Sequence, residues 1–214
     1  MQDFEPVELP SNTSGSRRAI IAAVSVLMVV ILAVASALLV RHYVITTYIV
    51  DGISMYPTLD GGDGPNTEHP TSQEEAERIL SNGETLYLNK LAKVKRGDII
   101  VFVAPSDWHI DDGHGNSSSL VKRVIAVGGD RLQFKNGNKV YVNGQLLDEP
   151  YINGDGDGVY RDFDEVIPDG YIFCMGDNRA HSTDCREHGA IPLDCVVGKC
   201  FLIKGINGKL RWCK

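Results

Sequence analysis

The sequence has no excess of positive charge, no closely spaced cysteine pair and no internal repeat. Its 28 acidic side chains outnumber the 21 lysines and arginines, and the formal net charge of −7 argues against nucleic acid as a partner. All cysteines lie in the last fifth of the chain and none forms a C-x-x-C pair, which argues against structural zinc. We therefore expect neither a metal nor a cofactor.

The cysteines leave two interpretations open. In an oxidising compartment the five thiols allow up to two disulfides, with a pairing that the sequence does not reveal. Alternatively, most of them are small core residues. They are Cys174, Cys185, Cys195, Cys200 and Cys213.

Charge is absent from one long hydrophobic run, residues 19–40, whose polar side chains are Ser25 and Ser36. At about 1.5 Å per residue, a helix of this length crosses a hydrocarbon core of about 30 Å. A cleaved signal peptide is the alternative, and Ala35-Ser36-Ala37 resembles a cleavage site. The apolar core of a signal peptide is only about 7–15 residues long, so we interpret residues 19–40 as an uncleaved transmembrane anchor.

The charges that flank this run indicate its orientation. Arg17 and Arg18 precede it, whereas Arg41 alone follows it directly. Because cytoplasmic flanks carry the excess of basic residues, we expect a cytoplasmic tail over residues 1–18 and an extracytoplasmic domain over residues 41–214. The lipid bilayer, as plasma membrane, is then one partner of the protein.

Beyond the anchor, short apolar segments alternate with turns rich in glycine, asparagine and aspartate. The segments are TLYLNKL, GDIIVFVAP, LVKRVIAVGGD, KVYVNGQLL, GYIFCMGD and CVVGKCFLI. Asn136-Gly137 and Asn143-Gly144 are typical of tight hairpin turns. We predict a mainly β fold class, with an antiparallel, meandering domain.

Residues 60–84 differ from this pattern because they are polar and strongly acidic. Ser72 and Glu75 have the spacing of a capping box, and Asn82-Gly83 follows as a helix stop. We predict a short surface helix within an inserted loop.

Ser54 lies in the segment VDGISMYPTL, shortly after the anchor, and is a candidate nucleophile. A serine hydroxyl needs a base, and none of the six histidines stands in a recognisable pattern. In SLVKRVIAV, a strand period of two places Leu120, Lys122, Val124 and Ala126 on one face. Desolvation there would make Lys122 a neutral base. The alternative is an edge-strand lysine that guards against aggregation.

Four segments occur in order after the anchor: GISMYPTL, GDIIVF, LVKRVIAVGGD and GDNRAHSTDCR. Together with VYVNGQLLDEPY, they resemble the successive motifs of bacterial type I signal peptidases, from about Val50 to Phe201. The resemblance implies a membrane-anchored serine endopeptidase on the outer face of the plasma membrane. Such an enzyme removes signal peptides from exported preproteins, after small residues at an A-x-A-like site.

The resemblance also implies the roles of individual residues. Ser54 would be the nucleophile and Lys122 the general base of a Ser-Lys dyad. Ser182 would orient the lysine amine through a hydrogen bond. Charged residues would support the site, through an ion pair of Asp184 with Arg186 and through Asp177 and Arg123.

We expect the substrate to bind as an added strand beside Leu120 and Val121, with Ile53 and Met55 lining shallow pockets for small side chains. Some family members place a serine two residues before the nucleophile, where its hydroxyl helps to bind the oxyanion. Gly52 stands at that position here. The Ser54 N–H should therefore be the main oxyanion donor.

Other interpretations remain open. A self-cleaving regulator of the Ser-Lys class shares the serine and the lysine, and a membrane-anchored β binding module would need neither. Residues 153–164 follow part of a calcium-loop spacing but lack its terminal glutamate, and HIDDGH at residues 109–114 offers metal ligands. We do not expect calcium at residues 153–164, whose flanks read as strand, and we interpret HIDDGH as a solvated loop.

The predicted orientation is testable on intact cells. External protease should digest residues 41–214 and leave a tag within residues 1–18 protected, because only the outer domain is accessible. Immunoblotting of the fragments measures this. Protection of the large domain would contradict the orientation.

Overall fold

The computed structural model of the protein describes residues 13–61, 83–110, 118–135, 138–152 and 161–213. The predicted insertion helix, the turn at Asn136-Gly137, most of HIDDGH and most of the calcium-like segment lie outside these residues. The chain divides into two compact units, the first ending at Tyr43 and the second beginning at Val44.

The first unit is a helix, α1, which spans Thr13–Tyr43. Its part from Arg17 to Tyr43 contains an 18-residue window with a mean hydropathy of 2.9, and none of that window is buried within the protein. It is long and apolar enough to cross a membrane, and it contains the predicted anchor.

The second unit is built from two antiparallel sheets. Its strands are β1 (Ile45–Ile49), β2 (Thr85–Asn89), β3 (Ile99–Val103), β4 (Ser119–Val127), β5 (Arg131–Lys135), β6 (Lys139–Val142), β7 (Gln145–Leu146), β8 (Phe163–Val166), β9 (Tyr171–Met175), β10 (Ile191–Pro192), β11 (Val196–Lys204) and β12 (Leu210–Trp212). The larger sheet has the order β1-β2-β11-β3-β4-β9-β10, with β12 paired to β11, and the smaller has the order β7-β6-β5-β8. The predicted mainly β, antiparallel fold class is confirmed.

Short helices punctuate the strands. They are one α-helical turn, α2 (Cys185–His188), and the 3-10 turns Ser106–Trp108, Arg179–His181 and Leu193–Cys195. The predicted tight turn at Asn143-Gly144 joins β6 to β7, and both of its residues have positive φ angles.

The central strands are buried on both faces, which explains why their sequences are continuously apolar. In β3, Ile100 and Phe102 enter a larger core, whereas Ile99 and Val101 enter a smaller core on the opposite face. Val121 of β4 also belongs to the smaller core. Such strands read as apolar runs without alternation.

β4 departs from a regular strand between Val124 and Ala126, where its register against β9 shifts. Val124, Ile125 and Ala126 all contribute to the larger core. The period of two that groups Lys122 with Val124 therefore does not extend to Ala126, because an extra residue enters the strand at Ile125.

Candidate active site

The structure brings Ser54 and Lys122 into direct contact. Ser54 lies in the turn that follows β1, and Lys122 lies in the middle of β4. The distance between Lys122 Nζ and Ser54 Oγ is 2.8 Å, although the residues are 68 positions apart. The hydroxyl and the amine are thus within range for proton transfer.

The Lys122 amine is almost completely buried, with 2% of the residue exposed. Apart from Ser54, its hydrogen-bond partner is Val121 O at 3.1 Å. Burial lowers the pKa of Lys122 to about 8, although the negative charge of Asp184 opposes this shift. A substantial fraction of the amine is therefore neutral at mildly alkaline pH and can accept a proton.

Asn178 anchors the Ser54 turn. Its backbone N–H donates to Ser54 O at 3.0 Å, and its Nδ2 donates to Ile53 O at 3.1 Å. Gly176 lies so close that a Cβ there would come within 2.4 Å of Ser54 O and 2.2 Å of Ser182 Oγ. Only glycine fits this contact. Asn178 is a site residue that sequence reasoning missed, although it stands within GDNRAHSTDCR.

The backbone of the turn leaves the Ser54 N–H available beside the hydroxyl. Gly52 has a φ of +79°, a conformation that favours glycine. Tyr56 N–H donates to Ile53 O, but within the described part of the chain no protein acceptor takes the Ser54 N–H. This N–H is free to face a substrate oxygen.

Met55, the residue after Ser54, is buried inside the protein. Its side chain is fully buried in the smaller core, with Leu59 and Val121, so it packs the turn against that core. Neighbouring residues of a turn point in different directions, and Ile53 is the half-buried one of the pair. A role for Met55 in lining a substrate pocket stays a prediction.

Asp184 is the centre of a second cluster beside the dyad. Its buried carboxylate accepts from Gly176 N–H at 2.9 Å, from Ser182 Oγ at 2.8 Å, and from Arg186 Nε and Nη2 at 2.9 and 2.8 Å. Burial opposes ionisation of Asp184, but the hydrogen bonds and charge of Arg186 outweigh it and hold its pKa below the usual range. The carboxylate therefore stays ionised.

The predicted hydrogen bond from Ser182 to the lysine amine is not formed in this structure. The Ser182 hydroxyl donates to Asp184 Oδ2 instead, because an ionised carboxylate is the stronger acceptor. Gly176 separates Ser182 from the carbonyl of Ser54, since both pack against it. An orienting role for Ser182 toward Lys122 stays a prediction.

Two further ion pairs fix the loop that carries Asn178. Arg123 donates from Nε and Nη2 to Asp177 at 2.9 and 2.8 Å, and both side chains are buried. Arg179 pairs with Glu149, and Arg179 Nε also donates to Gly176 O at 3.1 Å. The second pair was missed from the sequence, although its members stand in GDNRAHSTDCR and VYVNGQLLDEPY.

β4 has an open edge beside Lys122. Its pairing with β9 begins at Arg123, so residues 119–122 pair only with β3 among the described strands. At the far end of this edge, Tyr48 Oη donates to Ser119 O at 2.6 Å. Leu120 is half-buried and the Val121 side chain is buried, so the backbone is what this edge offers to an extended peptide.

All five cysteines are free thiols. Cys174 and Cys185 are buried next to each other, and Cys185 Sγ accepts from Cys174 N–H at 3.2 Å. Burial raises the pKa of the Cys174 thiol well above its ordinary value. These two residues serve as packing.

A serine hydroxyl in contact with a buried lysine amine, next to an open strand edge, is typical of serine peptidases that use a lysine base. The family model described as signal peptidase, peptidase S26, matches residues 23–204. Signal peptidase I T of Bacillus subtilis (strain 168) is 34% identical over 178 residues, which cover 79% of this chain and 78% of that protein. The chain therefore belongs to the signal peptidase family, peptidase S26.

Other relatives agree. Signal peptidase I S of the same Bacillus strain is 35% identical, over 74% of this chain and 75% of that protein. Signal peptidase IB of Staphylococcus aureus (strain Mu50) is 33% identical, over 75% and 78%. The predicted enzyme class, a hydrolase of the signal peptidase I type, is confirmed. The self-cleaving regulator and the binding module are not favoured.

Replacing the buried amine should stabilise the protein while inactivating it. At pH 7, Lys122→Met should raise the free energy of unfolding by about 2–4 kcal/mol, because the folded state no longer buries a protonated amine. The gain should be full below pH 8 and decline between pH 8 and the ordinary lysine value of 10.5. Urea unfolding at several pH values, with exposed Lys139→Met as control, measures it. A destabilised variant would contradict this account.

Proposed function

We propose that Ser54 is the nucleophile and Lys122 the general base of this signal peptidase. The observation that carries the proposal is the 2.8 Å contact between Ser54 Oγ and the buried Lys122 Nζ. The neutral amine takes the hydroxyl proton as Oγ attacks the scissile carbonyl carbon. The protonated amine then gives that proton to the leaving amine of the cleaved peptide.

Hydrolysis of the acyl-enzyme repeats this proton transfer with water. Lys122 deprotonates the attacking water, and its proton returns to Ser54 Oγ when the ester bond breaks. During both steps negative charge develops on the former carbonyl oxygen. The free Ser54 N–H is the donor that we assign to it, since Gly52 has no hydroxyl to contribute.

The substrates that we propose are exported preproteins whose signal peptides are still held in the bilayer. Only 14 positions separate Val40 from Ser54 (54 − 40), which an extended chain spans in at most about 50 Å. The chain length therefore keeps the proposed nucleophile within that distance of the end of the anchor. The cleavage segment would add as a strand to the open edge of β4, on the extracytoplasmic side.

A supporting role then falls to five residues near the dyad, which are Ser182, Asp177, Asp184, Arg186 and Arg123. They hold the loop that anchors the Ser54 turn, and none of their charged groups forms a hydrogen bond to the Lys122 amine. Removal of one partner from a buried pair leaves an unpaired charge. Such changes should act through the position of the turn.

The dyad is tested by Ser54→Ala and Lys122→Arg. Arginine keeps the positive charge but has no neutral form at working pH, so both variants should lose cleavage almost completely. The double variant should be no worse than either single one, because the two residues act together. Cleavage of a preprotein by the full-length protein in detergent measures this, with surface Lys139→Arg as control.

The same assay over pH separates the base from other candidates. Because the neutral amine predominates above a pKa of about 8, kcat/KM should rise with pH through that value. Substantial activity in Lys122→Arg would show that another residue deprotonates Ser54.

Substrate side chains test the proposed strand-like binding. Replacing the alanine before the cut by phenylalanine should lower kcat/KM by about 100-fold or more, because a site for small residues is overpacked by an aromatic ring. The same replacement at the residue after the cut is the control. Equal cleavage of all three substrates would exclude a size-selective site.

A further inference from the structure

The Ser54 turn is also held at its other end, away from Asn178. Thr58 O accepts from Arg211 Nη2 at 2.9 Å, and Asp60 N–H donates to Glu84 Oε2 at 3.2 Å. Backbone bonds complete the contact, from Glu84 N–H to Asp60 O at 3.0 Å and from Val50 N–H to Glu84 O at 2.9 Å. Glu84 therefore bonds to the chain both before and after Ser54.

The two side chains of this contact form an ion pair. Arg211 approaches Glu84 with both terminal nitrogens, Nη1 on Oε1 and Nη2 on Oε2, the second at 2.7 Å. The Glu84 side chain is only 9% exposed, whereas that of Arg211 is 44% exposed. A carboxylate buried to this degree needs a charged partner, and Arg211 supplies it from β12.

Backbone packing leaves little freedom around this pair. A Cβ on Gly61 would lie 2.3 Å from Gly52 O, and a Cβ on Gly83 would lie 1.9 Å from Val50 O. Gly61, which follows Asp60, and Gly83, which precedes Glu84, are thus in close backbone contact with Gly52 and Val50, which precede Ser54. A movement of the Glu84 carboxylate would be passed on to the turn.

We propose that Glu84 and Arg211 are positioning residues that clamp the Ser54 turn and keep Oγ within reach of Lys122 Nζ. This rests on the proposed role of Ser54 and Lys122. Neither residue touches the reacting atoms. Each acts through backbone groups of the turn, with Arg211 on Thr58 O and Glu84 on Asp60 N–H.

The geometry explains why arginine is required. One guanidinium serves both carboxylate oxygens of Glu84 and the Thr58 carbonyl at the same time. A lysine at this position keeps the charge but has a single ammonium group. Its donors all extend from one nitrogen, so it cannot reproduce the two-nitrogen contact with Glu84 together with the bond to Thr58 O.

The experiment uses the full-length enzyme in detergent, with Arg211→Gln, Glu84→Gln, their double variant and Arg211→Lys. Arg131→Gln is the matched control, because Arg131 forms a bidentate, exposed pair with Asp164 on the smaller sheet. Steady-state cleavage of a preprotein gives kcat and KM, and thermal unfolding gives the midpoint temperature of each variant.

We expect kcat to fall by about 10- to 100-fold in Arg211→Gln, with KM within about twofold, because a displaced nucleophile impairs the chemical step. The kcat of the double variant should be no lower than that of the less active single variant. Arg211→Lys should recover the unfolding midpoint but not kcat. In a Ser54→Ala background, Arg211→Gln should leave the Kd for uncleaved preprotein unchanged. Arg131→Gln should keep full kcat.

Three outcomes would overturn the clamp. They are an unchanged kcat in Arg211→Gln, full recovery of kcat by Arg211→Lys, and a weakened Kd that accounts for the whole loss. If Glu84→Gln fails to fold, the Arg211 variants decide the question, since that side chain is half-exposed. Ser54→Ala assayed in parallel keeps the two proposals apart. An active Ser54→Ala would refute the dyad, whereas an inactive one beside a fully active Arg211→Gln would refute the clamp alone.

Discussion

The site depends on keeping a lysine amine out of water. In solvent Lys122 would be protonated near neutral pH and could not act as a base, so the fold has to surround it. Both neighbours of β4 and the loop after β9 contribute to that burial. The surrounding charges are balanced as well. Asp184 favours the protonated amine, whereas Arg186, which is bonded to Asp184, disfavours it. Pairing of these two charges limits how far the carboxylate offsets burial.

Several arginine–carboxylate pairs lie near Ser54 and Lys122 but form no hydrogen bond to the lysine amine. Buried pairs of this kind contribute little net stability, since desolvation cancels much of the attraction. Their contribution is directional, because a guanidinium fork fixes the distance and angle of whatever it holds. The pairs of Asp177 and Asp184 fix the loop that carries Asn178, and the pair of Glu84 fixes the far end of the turn. The turn that carries Ser54, the proposed nucleophile, is thus hydrogen-bonded on two sides by residues other than Lys122.

The sequence predicted the parts of the fold and site that follow local rules. The apolar run predicted α1, alternating apolar segments predicted antiparallel sheets, and a period of two placed Lys122 on a buried face. The prediction failed where local rules end. An extra residue at Ile125 breaks the period before Ala126. The partner of Arg179, Glu149, lies 30 positions away on another segment, and spacing along the chain carries no information about it.

The large sequence separation between Ser54 and the residues that it contacts has a consequence during synthesis of the chain. Ser54 is translated 68 residues before Lys122, and Ile53 precedes its anchor Asn178 by 125 residues. During translation the Ser54 hydroxyl is therefore present before Lys122 and before the loop that shapes its backbone. A nascent chain in this state lacks the base of the proposed dyad. It therefore resembles a zymogen, an inactive precursor, but needs no propeptide to be inactive.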